Sequence, residues 1–302
     1  MNKPSTPQAV QIIAEDGYAL SGHFFKTEDA QQKRPVLLCP ATGIVQQFYF
    51  RFCEWLSQQG HAVLVFDFRG IGQSLHEPVK YSNARIQDWG QLDIPAALDW
   101  LTLHTGQPQV ILIGHSAGGQ LTGLVRNHQK IAQVIAIAGS TGHVKGLSGK
   151  TKWLAPVLFN VYMPLNIRLY GHANNKKIGW GENLPKGVAR QWAEWCSKPG
   201  YVANALGKSV DQHYHAEIRC PVTAIHASDD EIATRANVAD LLRLYPNAAQ
   251  RTICLEPATE GFGHIGHMDL FRSSHQRLWP VVLDAIIPVS YTHLTLPTNR
   301  EV

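Results

Sequence analysis

Apolar residues along the chain recur with two different spacings. Short, nearly continuous apolar runs rich in β-branched residues occur at 36–39, 62–66, 110–113, 134–137 and 222–225. Such runs are typical of strands in a parallel sheet that is covered on both faces, and Arg251–Leu255 is the expected final strand. Earlier in the chain, Gln11–Glu15 and Ala19–Phe25 flank the turn signal Asp16-Gly17, which predicts an amino-terminal β-hairpin.

Helical spacing appears between these strands. The predicted helices are Gln47–Gln59, Asp88–Leu103, Gly118–His128, Thr234–Leu244 and a closing helix Ser274–Ile286. In the second of them, apolar residues three and four positions apart mark one buried stripe. Strands that alternate with helices imply right-handed crossovers, so the sequence predicts an α/β fold with a doubly wound, mostly parallel sheet.

A long aromatic stretch, 141–215, breaks the alternation. It contains Pro156, Pro164, Pro185 and Pro199 and lies between two predicted core strands. We interpret it as a helical cap inserted over the carboxyl edge of the sheet, with Pro185 in the first turn of a helix that ends before Pro199. The core is then formed by 1–140 and 216–288.

The last residues, 289–302, follow the closing helix without continuing its period. Val289–Thr298 resembles the translation of a transposase-based sequencing adapter. We expect a non-native tail, and the alternative is a native disordered terminus. Neither interpretation gives this segment a function.

Composition restricts the class of protein. The chain has 302 residues, 44% of them hydrophobic, and a net charge of +4 without a basic block, so we expect no nucleic-acid partner. Five cysteines without a Cys-x-x-Cys pair argue against a disulfide framework and a zinc knuckle. No apolar run approaches a membrane span, so we expect a cytoplasmic protein without stable membrane insertion. The sequence does not indicate an oligomeric state.

The run Gly114-His115-Ser116-Ala117-Gly118 lies between a predicted strand and a predicted helix. A serine hydroxyl is a weak nucleophile at neutral pH, so it has to be exposed on a tight turn near a base and near oxyanion donors. Glycines on both sides permit such a turn. The pattern therefore predicts that Ser116 is a catalytic nucleophile.

An acid and a base are expected later in the chain. The strand at 222–225 leads into Asp229-Asp230, and the final strand is followed by Gly263-His264 and Gly266-His267. Either carboxylate could orient either imidazole, and the His-x-x-His pair could instead bind a metal, although no third ligand is evident. We therefore expect neither a metal nor another cofactor.

The oxyanion of a tetrahedral intermediate needs two backbone donors. The amide of Ala117, directly after the nucleophile, is the first candidate. The second is expected in Pro40-Ala41-Thr42-Gly43, after an early strand, where we favour the Thr42 amide. This loop lacks the His-Gly pair common at that position.

Several segments together resemble the α/β-hydrolase superfamily, in particular a group of predicted hydrolases near serine-aminopeptidase-like and monoacylglycerol-lipase-like enzymes. The segments are Pro40–Tyr49, Asp67–Ser74, Gly114–Gly119, Leu184–Cys196, Asp229–Ile232 and Ile265–Arg272. The resemblance implies the α/β-hydrolase fold, a cap and the order Ser, Asp, His. By this resemblance Asp230 is preferred over Asp229 as the acid, and His267 over His264 as the base.

These residues predict a serine hydrolase that acts on small to medium acyl esters, with a carboxylesterase or lipase-like activity. An amidase or aminopeptidase is the first alternative, and it would need an acidic group, such as Glu182 or Glu194, to hold a substrate amine. A non-catalytic binding module with a hydrolase fold is the second alternative. The expected partner is a small-molecule acyl ester.

Overall fold

A computed structural model describes residues 7–28 and 33–286. The strands are β1 (Gln8–Ile13), β2 (Ala19–Phe25), β3 (Lys33–Cys39), β4 (His61–Phe66), β5 (Val110–His115), β6 (Ile131–Ile137), β7 (His172–Ala173), β8 (Leu184–Pro185), β9 (Val222–Ala227) and β10 (Gln250–Leu255). The helices are α1 (Phe50–Gln58), α2 (Ile86–Asp88), α3 (Ile94–Thr105), α4 (Ala117–Gln120), α5 (Thr151–Val157), α6 (Met163–Tyr170), α7 (Lys186–Cys196), α8 (Arg235–Leu242) and α9 (Trp279–Asp284). The predicted tail at 289–302 lies outside the described residues.

Eight strands form one sheet in the order β1-β2-β4-β3-β5-β6-β9-β10. β1 and β2 pair antiparallel, as the hairpin prediction required, and β2 pairs antiparallel with β4. Every other pairing in this sheet is parallel. The predicted α/β class with a mostly parallel sheet is confirmed.

Two apolar layers cover the sheet. In β3, Leu37 and Cys39 face one layer while Val36 and Leu38 face the other, so the strand is buried on both sides. α3 and α8 contribute to the first layer, and α1 and α9 contribute to the second. Burial on both faces is the physical reason why these strands are continuous apolar runs in the sequence.

The helix predicted at Gly118–His128 is wrong in its length. α4 ends at Gln120, and a short 3-10 turn at Thr122–Leu124 follows. The carbonyl of Gly123 accepts a 2.6 Å hydrogen bond from the Tyr214 amide, and a Cβ at Gly123 would overlap the His215 ring. The segment is therefore fixed by contacts with residues far along the chain instead of by a helical ladder. The closing helix is likewise shorter, since 3-10 geometry at Ser273–Leu278 precedes α9.

The segment between β6 and β9 holds three helices and the small antiparallel sheet of β7 and β8. A π-helical segment, Leu158–Tyr162, joins α5 to α6. Pro185 lies at the N-cap of α7 with ψ 147°, one position before the predicted first turn, and α7 ends before Pro199 as predicted. None of the helices within 7–28 and 33–286 is long and apolar enough to cross a membrane.

Candidate active site

Ser116 occupies the single-residue turn between β5 and α4. Its backbone has φ 48° and ψ −112°, a conformation that non-glycine residues rarely adopt. The Ser116 amide donates to the Ile137 carbonyl at 2.9 Å, and its own carbonyl accepts from the amides of Gly119 and Gln120. Strain of this kind persists only where the surroundings hold the residue in place, and it is concentrated at functional sites.

The two glycines of the motif permit this turn because the backbone is crowded on both sides. A Cβ at Gly114 would overlap the amide nitrogen of Gly119, and a Cβ at Gly118 would overlap the carbonyl oxygen of Cys39. The Gly118 amide also donates to the Pro40 carbonyl at 3.1 Å. Glycine at these positions lets β3, β5 and α4 approach closely, which brings the loop after β3 against the elbow.

Asp230 and His267 form a buried pair. His267 Nδ1 donates to Asp230 Oδ2 at 2.8 Å, while Asp230 Oδ1 accepts from the amides of Ile232 and Ala233. Burial alone would raise the pKa of Asp230, but the charge and hydrogen bond of His267 and the two amides hold this pKa below its usual value. Asp230 is therefore ionised and accepts from Nδ1 of His267, which fixes the orientation of the imidazole, and among the described residues no protein atom bonds to its Nε2.

A second pair of the same composition lies beside it. His264 Nδ1 lies 2.6 Å from Asp229 Oδ2, and the Asp229 carboxylate accepts from the amides of Ile265 and Gly266. The side chain of His264 is 65% exposed and that of His267 only 17%. The carboxylate of Asp229 therefore orders the loop that carries His267, and geometry favours the inner pair as acid and base.

Candidate oxyanion donors lie on both sides of the elbow. The loop after β3 makes a turn closed by a 3.1 Å bond from the Ile44 amide to the Ala41 carbonyl. Within the described residues, the amides of Thr42 and Ala117 donate to no protein atom. Neither amide therefore has a protein acceptor within these residues.

Sequence reasoning missed a hydrogen-bonded series that connects these loops. The Ala41 amide donates to Tyr49 Oη at 3.0 Å, and Tyr49 Oη lies 2.8 Å from His115 Nδ1. His115 Nε2 lies 2.8 Å from the carbonyl oxygen of His267. Because a carbonyl only accepts, Nε2 carries the proton, Nδ1 accepts from the Tyr49 hydroxyl, and the direction of every bond is fixed.

The charge state of His115 agrees with this assignment. Burial, with a further contribution from the charge of His267, lowers the pKa of His115 to about 3. The imidazole is fully buried and neutral at physiological pH. Its position inside the Ser116 motif was the one available sequence signal, but the motif by itself assigns no partner to this residue.

The structure brings Asp230 and His267 together and leaves the hydroxyl of Ser116 without a partner among the described residues. In the described part of the chain, Ser116 Oγ makes no hydrogen bond. The rings of His115 and His267 lie 5.6 Å apart between centroids, so the base loop contacts the residue before the nucleophile. Catalytic hydrogen bonds are often long before substrate binds, and they tighten in the reactive complex.

The loop after β4 supports the site from one side. Asp67 accepts from the backbone and side-chain amides of Gln46, on the loop after β3, and from the Gln73 amide. Arg69 pairs with Asp93 at 2.6 Å and with Asp16 in the hairpin turn at 2.6 Å. These contacts hold the loops at the carboxyl edge of the sheet in fixed positions.

The His-x-x-His segment pairs with carboxylates in this structure. Among residues 7–28 and 33–286, no group of three His, Cys, Asp or Glu side chains is arranged to hold a metal ion. His264 and His267 each bind a different aspartate.

Comparison with known proteins agrees with this architecture. The sequence model of the alpha/beta hydrolase fold family matches residues 34–146, which span β3 to the end of β6 and include the elbow. An esterase of Pyrococcus furiosus superposes with a TM-score of 0.60 at 18% identity, over 92% of this chain and 89% of the other. The chain has the α/β-hydrolase fold. A soluble variant of monoglyceride lipase from Saccharomyces cerevisiae superposes on this hydrolase fold with a TM-score of 0.60 at 15% identity, covering 94% and 97% of the two chains.

Curated relatives of this α/β-hydrolase chain match over shorter stretches. Lipase lipl-1 of Caenorhabditis elegans is 29% identical over 181 residues, which is 48% of this chain and 44% of that lipase. A tear acid lipase-like protein of Mesocricetus auratus is 29% identical over 124 residues, 39% of this chain and 31% of its own length. The chain therefore spans less than half the length of these relatives.

Proposed function

We propose that the protein is a serine hydrolase that cleaves carboxylic esters, with Ser116 as nucleophile, His267 as base and Asp230 as the acid that orients the base. The observation that carries this proposal is the buried 2.8 Å bond between Asp230 and His267, on a loop anchored to the residue before Ser116. The elbow conformation of Ser116 supports it, because that strained turn exposes a hydroxyl at the end of a strand.

In the proposed reaction, Ser116 Oγ attacks the ester carbonyl while His267 Nε2 takes its proton. The amides of Ala117 and Thr42 donate to the oxyanion, and Asp230 stabilises the imidazolium that forms. His267 then gives the proton to the leaving alcohol as the carbon–oxygen bond breaks, which leaves an acyl-serine. Water attacks the acyl carbonyl while His267 takes its proton. His267 then gives that proton to Ser116 Oγ as the bond between Oγ and the acyl carbon breaks, which releases the acid and restores the serine hydroxyl. Every step uses groups of this chain and water.

Several features favour an ester over an amide substrate. An aminopeptidase needs a free acidic group for the substrate amine. Glu182 is not free, because it is paired with Lys176 Nζ at 2.8 Å. Glu194, the other candidate, is exposed on α7. The structurally similar proteins include an esterase and a monoglyceride lipase, and the curated relatives are named as a lipase and a lipase-like protein. We therefore favour small-molecule acyl esters.

The segment 141–215 would act as the cap of this site. The Glu182 amide donates to the Gly43 carbonyl at 2.7 Å, next to Thr42, and Gln191 on α7 bonds to Gln87. Thr151 at the start of α5 bonds to Glu231, which follows Asp230. These contacts connect the segment to three loops at the carboxyl edge and support a covering role. A cytoplasmic location and the lack of a nucleic-acid partner stay predictions.

Labelling with a fluorophosphonate probe tests the nucleophile. We expect the wild-type protein to be labelled at one site and Ser116→Ala to be unlabelled. Ser148→Ala, which changes an exposed serine of the 141–215 segment, is the control and should label normally. Full labelling of Ser116→Ala would contradict the assignment, and an unlabelled wild type with native folding would favour the non-catalytic alternative.

A substrate panel separates the two hydrolase classes. p-Nitrophenyl esters of increasing acyl length and aminoacyl anilides are assayed side by side with wild type and Ser116→Ala. We expect hydrolysis of the esters that is lost in the variant. Hydrolysis of the anilides alone would replace the esterase proposal by an amidase.

A further inference from the structure

One helical segment carries large apolar side chains toward solvent. These residues form what we call the apolar stripe: Trp153, Leu154, Val157, Val161, Leu165 and Leu169. Each is more than half exposed, and Trp153 reaches 75%. The stripe runs through α5, the π-helical segment and α6. A contiguous exposed apolar surface of this kind marks an interaction site more often than isolated exposed residues do.

The stripe is not needed to attach these helices to the rest of the protein. Their other side carries Ala155, Leu158, Phe159 and Met163, which are buried in the main apolar layer. The segment is thus apolar on two sides, whereas a surface helix of a globular protein usually has one apolar face. Burial inside the molecule explains the inner face only, and the outer one requires another environment.

The spacing along the segment keeps the stripe on one side. Val157, Val161, Leu165 and Leu169 follow each other at intervals of four, and the π-helical segment lies among them. A π-helical segment has wider turns than an α-helix, so within it the four-residue interval drifts in the opposite direction and offsets the drift in the α-helices. All four side chains consequently remain exposed.

Positive charge accompanies the apolar stripe. From 141 to 215 there are ten Lys or Arg and three Asp or Glu, a net charge of +7, whereas the whole chain has +4 and the remainder therefore −3. Between 141 and 181 there are six basic residues and no acidic residue. These six are exposed: Lys145, Lys150, Lys152, Arg168, Lys176 and Lys177. Of the six, Lys176 pairs with Glu182, and Lys150 lies near the Glu231 carboxylate, which accepts from its amide.

We propose that the apolar stripe and its flanking cations bind the surface of an anionic lipid bilayer. Amphipathic helices with apolar side chains on one side and Lys or Arg around them lie in the bilayer interface, where burial and attraction to anionic headgroups add. A second copy of this chain fits less well, because a symmetric interface through the stripe would place the same cations opposite each other. An anionic bilayer offers both an apolar acyl region that can bury the stripe and negatively charged headgroups that can pair with the cations.

Binding of this kind is independent of the proposed hydrolysis. It requires neither Ser116 nor His267, so Ser116→Ala should bind vesicles as the wild type does. It also places the enzyme next to esters held in a membrane, because the 141–215 segment contacts the loop of Thr42 through Gly43. Failure of the esterase assay would therefore leave the vesicle experiment interpretable.

Co-sedimentation with vesicles tests the proposal on the full chain. We expect the protein to bind vesicles of phosphatidylcholine mixed with phosphatidylglycerol at least about tenfold more tightly than phosphatidylcholine alone. The triple variant Val161→Gln, Leu165→Gln, Leu169→Gln should lose about tenfold or more in affinity for the anionic vesicles. Leu103→Gln is the matched control, since Leu103 is 80% exposed but lies on α3, outside the stripe.

Tryptophan fluorescence provides a second test, in which Val161, Leu165 and Leu169 are unchanged. Trp153 begins the stripe, so brominated lipids in the anionic vesicles should quench part of the tryptophan fluorescence. That part should be missing in Trp153→Phe, although seven other tryptophans remain. This readout does not depend on the folding of the triple variant.

Two results would overturn the proposal. One is that the wild type and the correctly folded triple variant bind anionic vesicles equally, or that brominated lipids quench the fluorescence of Trp153→Phe as much as that of the wild type. The other is self-association of the wild type in light scattering that the triple variant abolishes while vesicle binding is absent in both. The second result would assign the stripe to an interface between copies of this chain.

Discussion

His115 Nε2 donates a 2.8 Å hydrogen bond to the backbone carbonyl of His267, so the residue before Ser116 holds the residue proposed as base. His115 in turn accepts from Tyr49, whose oxygen accepts from the Ala41 amide next to Thr42. The elbow, the base loop and the oxyanion loop are therefore connected through one neutral imidazole. Misplacement of a reacting group by a fraction of an ångström is costly in rate, so this connection has consequences for activity.

Tyr49→Phe removes the centre of this series. The Ala41 amide loses its acceptor and His115 Nδ1 loses its donor, which should destabilise the fold by about 1–3 kcal/mol. We expect kcat for an ester to fall by about tenfold with little change in KM, because Tyr49 positions groups and does not bind substrate. Tyr81→Phe, at an exposed tyrosine, is the control. A larger effect on KM than on kcat would argue that Tyr49 contacts substrate.

The buried His115 should make stability depend on pH. Its pKa is about 3 in the folded protein, against an ordinary value of 6.5. Between these values the unfolded chain binds a proton that the folded chain does not, so stability falls as the pH is lowered from about 6.5 toward 3. Burial likewise lowers the pKa of His215 to about 4, so a second group contributes to the same slope.

Denaturant unfolding at several pH values measures this dependence. His115→Gln should have a shallower fall in the free energy of unfolding between pH 6.5 and 4 than the wild type, but not a flat one, because His215 remains. His104→Gln, at an exposed histidine, serves as the control. An unchanged slope in His115→Gln would mean that this imidazole is not held neutral.

The two adjacent His–Asp pairs provide a matched test of the catalytic assignment. Asp230→Asn should lower kcat by about a thousandfold or more, because the imidazole loses its orientation and its counter-charge. Asp229→Asn should lower it by less than about tenfold, since that carboxylate is proposed to order the loop only. Likewise, His267→Gln should lower ester turnover far more than His264→Gln does. The reverse ranking would move the proposed acid and base to the outer pair.

The pair of Arg69 and Asp93 should contribute to stability. Both side chains are buried and lie 2.6 Å apart, and Arg69 also holds Asp16 of the hairpin turn. Asp93→Ala leaves the guanidinium without its buried partner and should cost about 3–5 kcal/mol in the free energy of unfolding. Glu54→Ala breaks the exposed pair with Arg51 and should cost less than about 1 kcal/mol. Equal losses in the free energy of unfolding would contradict the expectation that the buried pair contributes more than the exposed pair.

The local pattern of apolar and turn residues was sufficient to predict most of the fold. The apolar runs identified the parallel strands, and Asp16-Gly17 identified the hairpin, because strand burial and turn chemistry depend on near neighbours. The helix predicted from Gly118 failed for the opposite reason. Gly123 leaves room for the His215 ring, and its carbonyl accepts from the Tyr214 amide. Both partners lie about ninety residues later, so no local pattern contains these contacts.

The sequence by itself predicted the elbow around Ser116, since the crowding that demands glycine at 114 arises within a single strand, turn and helix, whereas the crowding at 118 comes from Cys39 on β3. It also limited the acid and the base to two candidates each. Only the tertiary structure paired Asp230 with His267 and Asp229 with His264. It also buried the first pair, left the second more exposed, and connected His115 to the loop of His267. Hydrogen bonding and burial between residues far apart in the chain depend on how loops from different strands meet at the edge of the sheet, which the spacing of residues along the chain does not contain.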